Sequence, residues 1–335
     1  MSTAPLLSVR DLRVEFTLPG GGLFSDPRSL KAVDGISFDL QPGETLGVVG
    51  ESGCGKSTLG RAVLRLIEPT GGKALWLGQD MQALGSKALR DVRKDMTIIF
   101  QDPLAALDPR MTVEQIIAEP LVTFHKSLGK DEIRRRVREI MSRVGLSPQH
   151  VNRYPHEFSG GQCQRIGIAR AMILRPKLVV CDEPVSALDV SIQSQIINLL
   201  IDLQKELGLS LIFISHNLSV VKHISHRIAV LYLGRLVEMG PAEEVFTAPR
   251  HPYTRALISA VPMPDPEKER ARKRIVLTGD LPSPLNPPSG CTFRTRCPDA
   301  QDACAGDRPT VEPVTADHQV ACRRWRELAA FNPLV

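Results

Sequence analysis

One stretch near the start of the chain, "GESGCGKST", combines glycines, a lysine and hydroxyl side chains in an order suited to binding phosphate. It matches the pattern G-x-x-x-x-G-K-[S/T], and the apolar runs before and after it predict a strand and a helix. Glycines let backbone N–H groups close around phosphate oxygens, and the N-terminus of the helix adds a favourable dipole. A glycine-rich turn that binds nothing is the alternative, and the flanking strand and helix argue against it. We therefore expect the following residues to bind a nucleoside triphosphate, with Lys56 on the β and γ phosphates and Ser57 on Mg²⁺: Gly50, Glu51, Ser52, Gly53, Cys54, Gly55, Lys56, Ser57 and Thr58.

A second stretch, "LVVCDEP" at residues 178–184, ends an apolar strand in two adjacent carboxylates. Asp182 at the strand tip suits Mg²⁺, usually through water, and Glu183 suits polarising an attacking water. Alone, the pair has a simpler interpretation as solvated acids at the end of a strand. Together with the phosphate-binding stretch, it predicts hydrolysis of ATP or GTP.

A third stretch, "FSGGQCQRIGIARAM", contains Ser159, Gly160, Gly161 and Gln162, which resemble the signature of ABC ATPases. A serine N-cap followed by glycines at the mouth of a helix makes a second helix N-terminus suited to phosphate. The resemblance implies a head-to-tail dimer. In such a dimer, the phosphate-binding loop of one subunit and the signature of the other close on the same ATP.

The remaining parts of the ABC pattern occur in the expected order. The resemblance implies that Gln101 senses Mg²⁺ or water, so Mg²⁺ would be held by Ser57, Gln101 and Asp182. It also implies that Asp189 in "SALD" crosses the dimer interface and that His216 contacts the γ-phosphate. Phe16 is assigned to stacking on adenine, although a phenylalanine at a strand end is more often part of the core.

Three positions depart from the common ABC pattern. Phe158 stands where many members have leucine, Cys163 follows the signature where arginine or another polar residue is frequent, and Asn217 stands where aspartate is common. None of the three removes a phosphate ligand, so we expect an active site. We expect Asn217 to alter the hydrogen bonds around His216.

Composition and periodicity indicate the organisation of the 335 residues. Strands alternate with helices, which predicts an α/β fold with a parallel sheet; with the resemblance, this is a P-loop NTPase domain of the ABC ATPase type. We predict this domain over residues 1–250, with a helical subdomain at about 102–172. A small C-terminal accessory region, rich in proline and charge, follows at 251–335 and is expected to lack a large core of its own.

The expected location follows from what the sequence lacks. It has neither the basic start and apolar run of a signal peptide nor a stretch near the roughly 18 apolar residues that a membrane-spanning helix needs. The net charge of +5 is too mild to indicate a nucleic-acid partner. We therefore predict a cytosolic chain whose cysteines are thiols or metal ligands rather than disulfides.

Two segments of the C-terminal region indicate which class of ABC protein the sequence resembles. "HPYTRALISAVP" and "LTGDLPSPLNPPSGC" resemble the ATPase subunits of dipeptide and oligopeptide importers, and the resemblance is closest to the F-type subunits of dipeptide permeases. It implies an ATPase that drives peptide import at the cytoplasmic face of the bacterial inner membrane. The implied partners are a D-type ATPase subunit in a heterodimer, two transmembrane permeases and an extracytoplasmic peptide-binding protein. Import of nickel or another small solute is the alternative, and a non-transport ABC ATPase fits less well.

Four cysteines of the C-terminal region, Cys291, Cys297, Cys304 and Cys322, stand as C-x5-C-x6-C-x17-C. This spacing lacks the close pairs of most zinc sites, and an iron–sulfur cluster tolerates more varied spacing. From the residues alone, unligated or disulfide-forming cysteines remain an equal alternative. The resemblance to peptide importers implies a [4Fe–4S] cluster, with zinc as the second choice. We expect Arg294, Arg296 and Arg323 to offset part of its negative charge.

Overall fold

The computed structural model describes residues 4–19, 28–262, 265–271 and 274–331. The described residues divide into two compact units. The P-loop unit comprises residues 4–40, 46–82 and 215–331, and the signature unit comprises residues 41–45 and 83–214. The division into residues 1–250 and 251–335 remains a prediction.

The strands lie in the order that the sequence alternation predicts. Their bounds are β1 Leu7–Leu18, β2 Arg28–Leu40, β3 Thr45–Val49, β4 Gly71–Trp76, β5 Gln79–Asp80, β6 Met96–Ile99, β7 Leu178–Asp182, β8 Ser210–Ile214, β9 Arg227–Tyr232, β10 Arg235–Pro241, β11 Glu312–Pro313 and β12 Gln319–Val320.

The helices have the bounds α1 Lys56–Val63, α2 Ser86–Val92, α3 Val113–Phe124, α4 Lys130–Arg143, α5 Gly160–Met172, α6 Val190–Leu207, α7 Leu218–Ile224, α8 Ala242–Thr247, α9 Pro252–Ser259 and α10 Pro266–Ala271. Short 3₁₀ helices lie at Pro148–His150, Pro155–Glu157 and Asp302–Ala305. Among the residues that the structure describes, no helix is both long and apolar enough to cross a membrane.

In the P-loop unit, β1 pairs antiparallel with β2 and β4, and β4 pairs with β5. A second set of strands begins with β3, which pairs parallel with β9. Beyond β9, the strands β10, β12 and β11 follow as antiparallel neighbours. Every residue of β3 is buried, which explains why the strand is mostly apolar, because a parallel strand covered on both faces has no solvent side.

In the signature unit, β6, β7 and β8 form parallel neighbours. Every residue of β7 and of β8 is buried, and β7 lies where the apolar stretch at 178–184 predicts a strand. Helix α6 buries Ile196, Leu200 and Leu203 on one face and ends at Gly208, whose φ of 64° lies in the left-handed region. Glycine tolerates that conformation at a helix C-terminus because it has no Cβ.

Three helices of the signature unit, α3, α4 and α5, contact one another. Helix α4 buries Val137, Ile140 and Met141. Its outer face carries ion pairs at helical spacing, among them Arg136 with Glu132 and Arg143 with Glu139. Such pairs add a few tenths of a kcal/mol each, so burial of the apolar face is the main stabilising contribution.

Strand pairing and aromatic packing attach the C-terminal region to the residues that precede it. Strand β12 adds to the edge of β10, where Val320 lies opposite Glu238. Phe293 is buried against Tyr232 and Tyr253, with ring centroids 5.2 and 5.3 Å apart. Packing of these rings against one another contributes to holding the proline-rich segment in place.

Candidate nucleotide site

The phosphate-binding loop joins the buried strand β3 to the N-terminus of α1. Gly50 and Gly55 have φ values of 152° and 98°. A Cβ on Gly50 would lie 2.2 Å from Leu231 O, and one on Gly55 would lie 1.9 Å from Ala32 O. Any side chain at either position would therefore collide with backbone, so the loop needs glycine at both.

Lys56 is buried at the start of α1, and its ammonium lies inside the loop. Its Nζ donates hydrogen bonds to Gly50 O at 2.9 Å and to Glu51 O at 3.0 Å. A buried charge is tolerated only when it has such partners. The loop thus places a positive charge beside the N-terminus of a helix, and both attract phosphate.

In the signature unit, the structure brings Gln101 and Glu183 together. Gln101 Nε2 donates to Glu183 Oε2 at 3.3 Å. Glu183 follows the buried Asp182 and has a φ of 49°, a conformation that few residues other than glycine adopt. Its N–H donates to Ile214 O at 3.0 Å, and its carbonyl accepts from Ser186 Oγ at 3.1 Å. The backbone contacts fix the direction of the Glu183 side chain at the end of β7.

The signature residues form a capping box at the start of α5. Ser159 Oγ accepts a hydrogen bond from Gln162 N at 3.4 Å, and Gln162 Oε1 accepts one from Ser159 N at 3.0 Å. This reciprocal pair satisfies two N–H groups of the first turn. Gly160 is exposed at the same end, so the mouth of the helix is open to solvent.

Comparison with known proteins decides the family. Residues 33–186 match the family described as ABC transporter, and residues 237–304 match the C-terminal region of oligopeptide/dipeptide transporters. The chain is 59% identical over 319 residues to the oligopeptide transport ATP-binding protein OppF of Salmonella typhimurium, covering 95% of each chain. The chain belongs to the ATP-binding subunits of oligopeptide ABC transporters. The oligopeptide transport ATP-binding protein AppF of Bacillus subtilis is 52% identical over 96% of this chain and 97% of its own length.

Solved structures have the same fold as this ABC subunit. The cbiO1 protein of Clostridium perfringens, part of the ABC transporter complex cbiONQ, is 30% identical, with a TM-score of 0.62 over 72% of this chain and 90% of its own. A dimeric ATP-binding cassette in a post-hydrolysis state, bound to ADP and phosphate, is 26% identical, with a TM-score of 0.63 over 70% of this chain and 98% of its own. The predicted α/β P-loop fold of the ABC ATPase type is therefore confirmed.

Two further residues assigned to the nucleotide lie in the P-loop unit of the ABC subunit. Phe16 is an exposed residue of β1, opposite Leu30 of β2, and its ring is open to stacking. His216 is also exposed and immediately precedes Asn217. Asn217 is the N-cap of α7, and its Oδ1 accepts from Ser219 N at 3.1 Å and Val220 N at 3.3 Å. Asparagine thus caps this helix as aspartate would, and the departure at this position leaves the turn intact.

The residue Asp189 is the N-cap of α6 and is exposed, with no side-chain capping hydrogen bond. Its neighbour Val190 has 79% of its surface exposed. This exposed side chain leaves the start of α6 accessible to another chain. The role of Asp189 at a subunit interface remains a prediction.

Two glycine substitutions within α5 test how the signature packs on α6. A Cβ on Gly161 would lie 2.6 Å from Ile192 Cγ2, whereas one on Gly167 would meet no atom within 4 Å. We expect Gly161→Ala to lower the free energy of unfolding by about 1–3 kcal/mol, because the stiff β-branched Ile192 must move. Gly167→Ala should raise it by about 1 kcal/mol through helix propensity. Urea unfolding of both variants measures the difference, and equal shifts would contradict this packing.

The prediction of a [4Fe–4S] cluster or of zinc at the four C-terminal cysteines is wrong. Within the described ranges, no group of three or more His, Cys, Asp or Glu side chains could hold a metal ion. The cavity among Cys291, Cys297, Cys304 and Cys322 has a volume of only about 20 Å³, which suits a water molecule rather than a cluster. The family that this chain matches and the relatives that resemble it are named for ATP binding and transport.

The four cysteines of the C-terminal region are partly buried. All four are free thiols. Burial raises the pKa of Cys297 to about 12 and that of Cys322 to about 11. Both thiols are therefore protonated at neutral pH. The spacing of cysteines along the chain could not reveal this, because it carries no information on how closely they pack.

Sequence reasoning also missed two residues that contact the phosphate-binding loop. The Glu51 carboxylate accepts a hydrogen bond from Arg296 Nη1 at 2.7 Å, and Glu51 N donates to Tyr253 Oη at 2.9 Å. The only sequence signal was that "HPYTRALISAVP" resembles a family segment. Nothing in it indicates a contact with a loop about 200 residues earlier.

Proposed function

We propose that this subunit hydrolyses ATP to drive the import of di- and oligopeptides across the bacterial inner membrane. The observation that carries the proposal is the match of this single chain, over 95% of its length, to an oligopeptide transport ATP-binding protein. The buried ammonium of Lys56 in the glycine loop and the paired Gln101 and Glu183 supply the chemical groups that this activity needs.

Each group of the nucleotide site has a distinct task in this proposal. Lys56 and the N–H groups of residues 50–58 bind the phosphates, and Phe16 stacks on the adenine. The hydroxyl, amide and carboxylate oxygens of Ser57, Gln101 and Asp182 suit Mg²⁺, which prefers hard oxygen ligands and would offset the charge of the phosphates. Glu183 accepts a proton from the attacking water, and His216 contacts the γ-phosphate.

The signature acts on the ATP of a second ATPase subunit. The open N-terminus of α5, with Ser159 to Gln162, offers N–H groups and a favourable dipole to the γ-phosphate of that ATP. The exposed Val190 next to Asp189 supports a protein contact at the same subunit interface. We assign the second subunit to the D type of peptide importers, which makes the pair a heterodimer.

The proposed assembly also contains two transmembrane permeases and an extracytoplasmic peptide-binding protein, with this subunit at the cytoplasmic face of the membrane. Phe100 and Leu104 flank Gln101 and expose large apolar side chains. An exposed apolar patch beside a catalytic residue is suited to contact a permease. Closure of the two ATPase subunits on ATP would be transmitted to the permeases through this contact. Hydrolysis would then return the transporter to its starting conformation.

The decisive experiment is to measure ATP hydrolysis by the complete membrane assembly with and without peptide-loaded binding protein. We expect peptide to stimulate hydrolysis. Lys56→Ala should lower nucleotide affinity and reduce turnover at this subunit's site by about a hundredfold or more, because the phosphates lose their main charged partner.

Lys87→Ala is the matched control, because Lys87 is an exposed lysine at the start of α2. It should leave both ATP affinity and turnover unchanged. If peptides fail to stimulate hydrolysis while another solute does so, the proposed substrate class is wrong. If Lys56→Ala binds ATP as tightly as Lys87→Ala, the assignment of the phosphate-binding loop is wrong.

A further inference from the structure

The second residue of the phosphate-binding loop is held from two directions by the C-terminal region. Tyr253 Oη accepts the hydrogen bond from Glu51 N, and Arg296 Nη1 donates to Glu51 Oε2. One contact fixes the backbone of Glu51 and the other fixes its side chain. Both partners come from segments beyond residue 250, outside the predicted nucleotide-binding domain.

The ion pair is shielded from solvent. The side chain of Arg296 is 10% exposed and that of Glu51 is 25% exposed. Hydrogen bonds between charged groups are stronger than neutral ones, and partial burial reduces screening by salt. The hydrogen bond with the Glu51 carboxylate also raises the pKa of Arg296. Arg296 therefore stays charged, and the contact differs from an exposed surface pair, which contributes little.

The two partners of Glu51 are themselves rigidly supported. The Tyr253 ring is fully buried, and its centroid lies 4.7 Å from that of Tyr232 and 5.3 Å from that of Phe293. Arg296 N donates to Phe293 O at 3.0 Å, so the same aromatic cluster supports the turn that carries Arg296. The aromatic cluster therefore fixes the positions of both Tyr253 and Arg296.

The contacts continue from Glu51 to the phosphate-binding lysine. Glu51 N donates to Tyr253, and Glu51 O accepts from Lys56 Nζ at 3.0 Å. The residue that Tyr253 and Arg296 hold is therefore one of the two whose carbonyl oxygens hold the ammonium. A displacement of Glu51 would shift Lys56, the main charged partner that we assign to the phosphates.

We infer that Arg296 and Tyr253 are positioning residues for the nucleotide: through Glu51, the C-terminal region sets the place of the Lys56 ammonium before ATP binds. This inference rests on the proposed function, because it concerns the same nucleotide. A preorganised charge avoids the cost of ordering the loop during binding. Removing either contact should therefore weaken ATP binding more than it slows the chemical step.

Arg296→Gln in the complete assembly tests the ion pair. We expect the KM for ATP to rise about five- to tenfold while kcat stays within about twofold, because loss of a charged hydrogen bond typically has an effect of this size. Arg294→Gln is the matched control, since Arg294 lies in the same turn but bonds to Ser289 and not to Glu51. Equal KM values for the two folded variants would overturn the inference.

A double variant separates the pair from a general loss of stability. If Arg296 acts through Glu51, then Glu51→Gln with Arg296→Gln should raise the KM by no more than the larger single effect. Independent, multiplying effects would contradict an action through Glu51. Should Arg296→Gln fail to fold, Tyr253→Phe removes only the oxygen that accepts from Glu51 N and keeps the ring packing. It should raise the KM about threefold, and an unchanged KM would count against the inference.

Hydrogen exchange distinguishes failure of this inference from failure of the proposed function. Without nucleotide, the amides of residues 50–56 should exchange faster in Arg296→Gln and Tyr253→Phe than in wild type or Arg294→Gln. This readout needs no ATP, so it stands even if the subunit hydrolyses none. Because coupling is reciprocal, ADP should in turn slow exchange at residues 293–297. Unchanged exchange at both segments would exclude the coupling.

Discussion

The Glu183→Gln variant is expected to hydrolyse ATP about 10²- to 10⁴-fold more slowly at this subunit's site, with ATP affinity close to that of the wild type. The amide has the size of the carboxylate but cannot accept a proton from the attacking water. The backbone contacts that hold residue 183, from Ile214 O and Ser186 Oγ, do not depend on its side chain. Single-turnover hydrolysis and equilibrium nucleotide binding in the assembled transporter measure the two quantities separately.

Two controls make this result specific. The partner ATPase subunit should carry its own inactive site, so that turnover reports on one site only. Glu206→Gln changes an exposed carboxylate of α6 that pairs with Arg143 at 3.0 Å, and it should hydrolyse ATP at the wild-type rate. Full turnover by Glu183→Gln in this background would exclude Glu183 as the general base.

Removal of the Glu238 side chain should cause a large loss of stability in the P-loop unit. Glu238 is fully buried, and its carboxylate accepts from Arg250 N at 2.7 Å and His251 N at 2.9 Å. It also lies 2.8 Å from His318 Nε2. We expect Glu238→Ala to lower the free energy of unfolding by about 3–5 kcal/mol, because it leaves buried polar groups without partners. Urea unfolding of the full chain measures this change.

The matched control uses the other carboxylate beside His318. Glu244 Oε2 lies 3.3 Å from His318 Nδ1, but its side chain is 47% exposed. Glu244→Ala should therefore cost no more than about 1 kcal/mol. If both variants lost the same stability, the contact with His318 rather than burial of Glu238 would explain the effect. If neither lost stability, the attachment of β12 to β10 would not depend on this network.

The elements that sequence reasoning predicted correctly are those that local physics determines. A parallel strand covered on both faces is mostly apolar, and β3, β7 and β8 are buried at every position, with polar residues only at their ends. The sequence predicts a serine N-cap before the glycines of the signature, and Ser159 is the N-cap of α5. The glycine loop before Lys56 is recognisable from its short motif, because the positive φ angles of Gly50 and Gly55 favour glycine. The collisions of a Cβ with Leu231 O and Ala32 O come from distant segments and were visible only in the structure.

The errors and omissions concern residues that are far apart in sequence. The resemblance to peptide importers implied a cluster at the four cysteines, yet among the described residues no group of three or more ligand side chains could hold a metal ion. No periodicity could place Tyr253 and Arg296 against Glu51, or His318 beside Glu238.

The sequence by itself determined the α/β P-loop fold, the nucleotide chemistry and the ABC family, because these depend on short motifs whose geometry follows from neighbouring residues. Only the tertiary structure decided how the C-terminal region is held and what it contacts. That outcome depends on packing and burial between distant segments, where aromatic contacts and buried polar pairs choose one arrangement among many that the spacing allows.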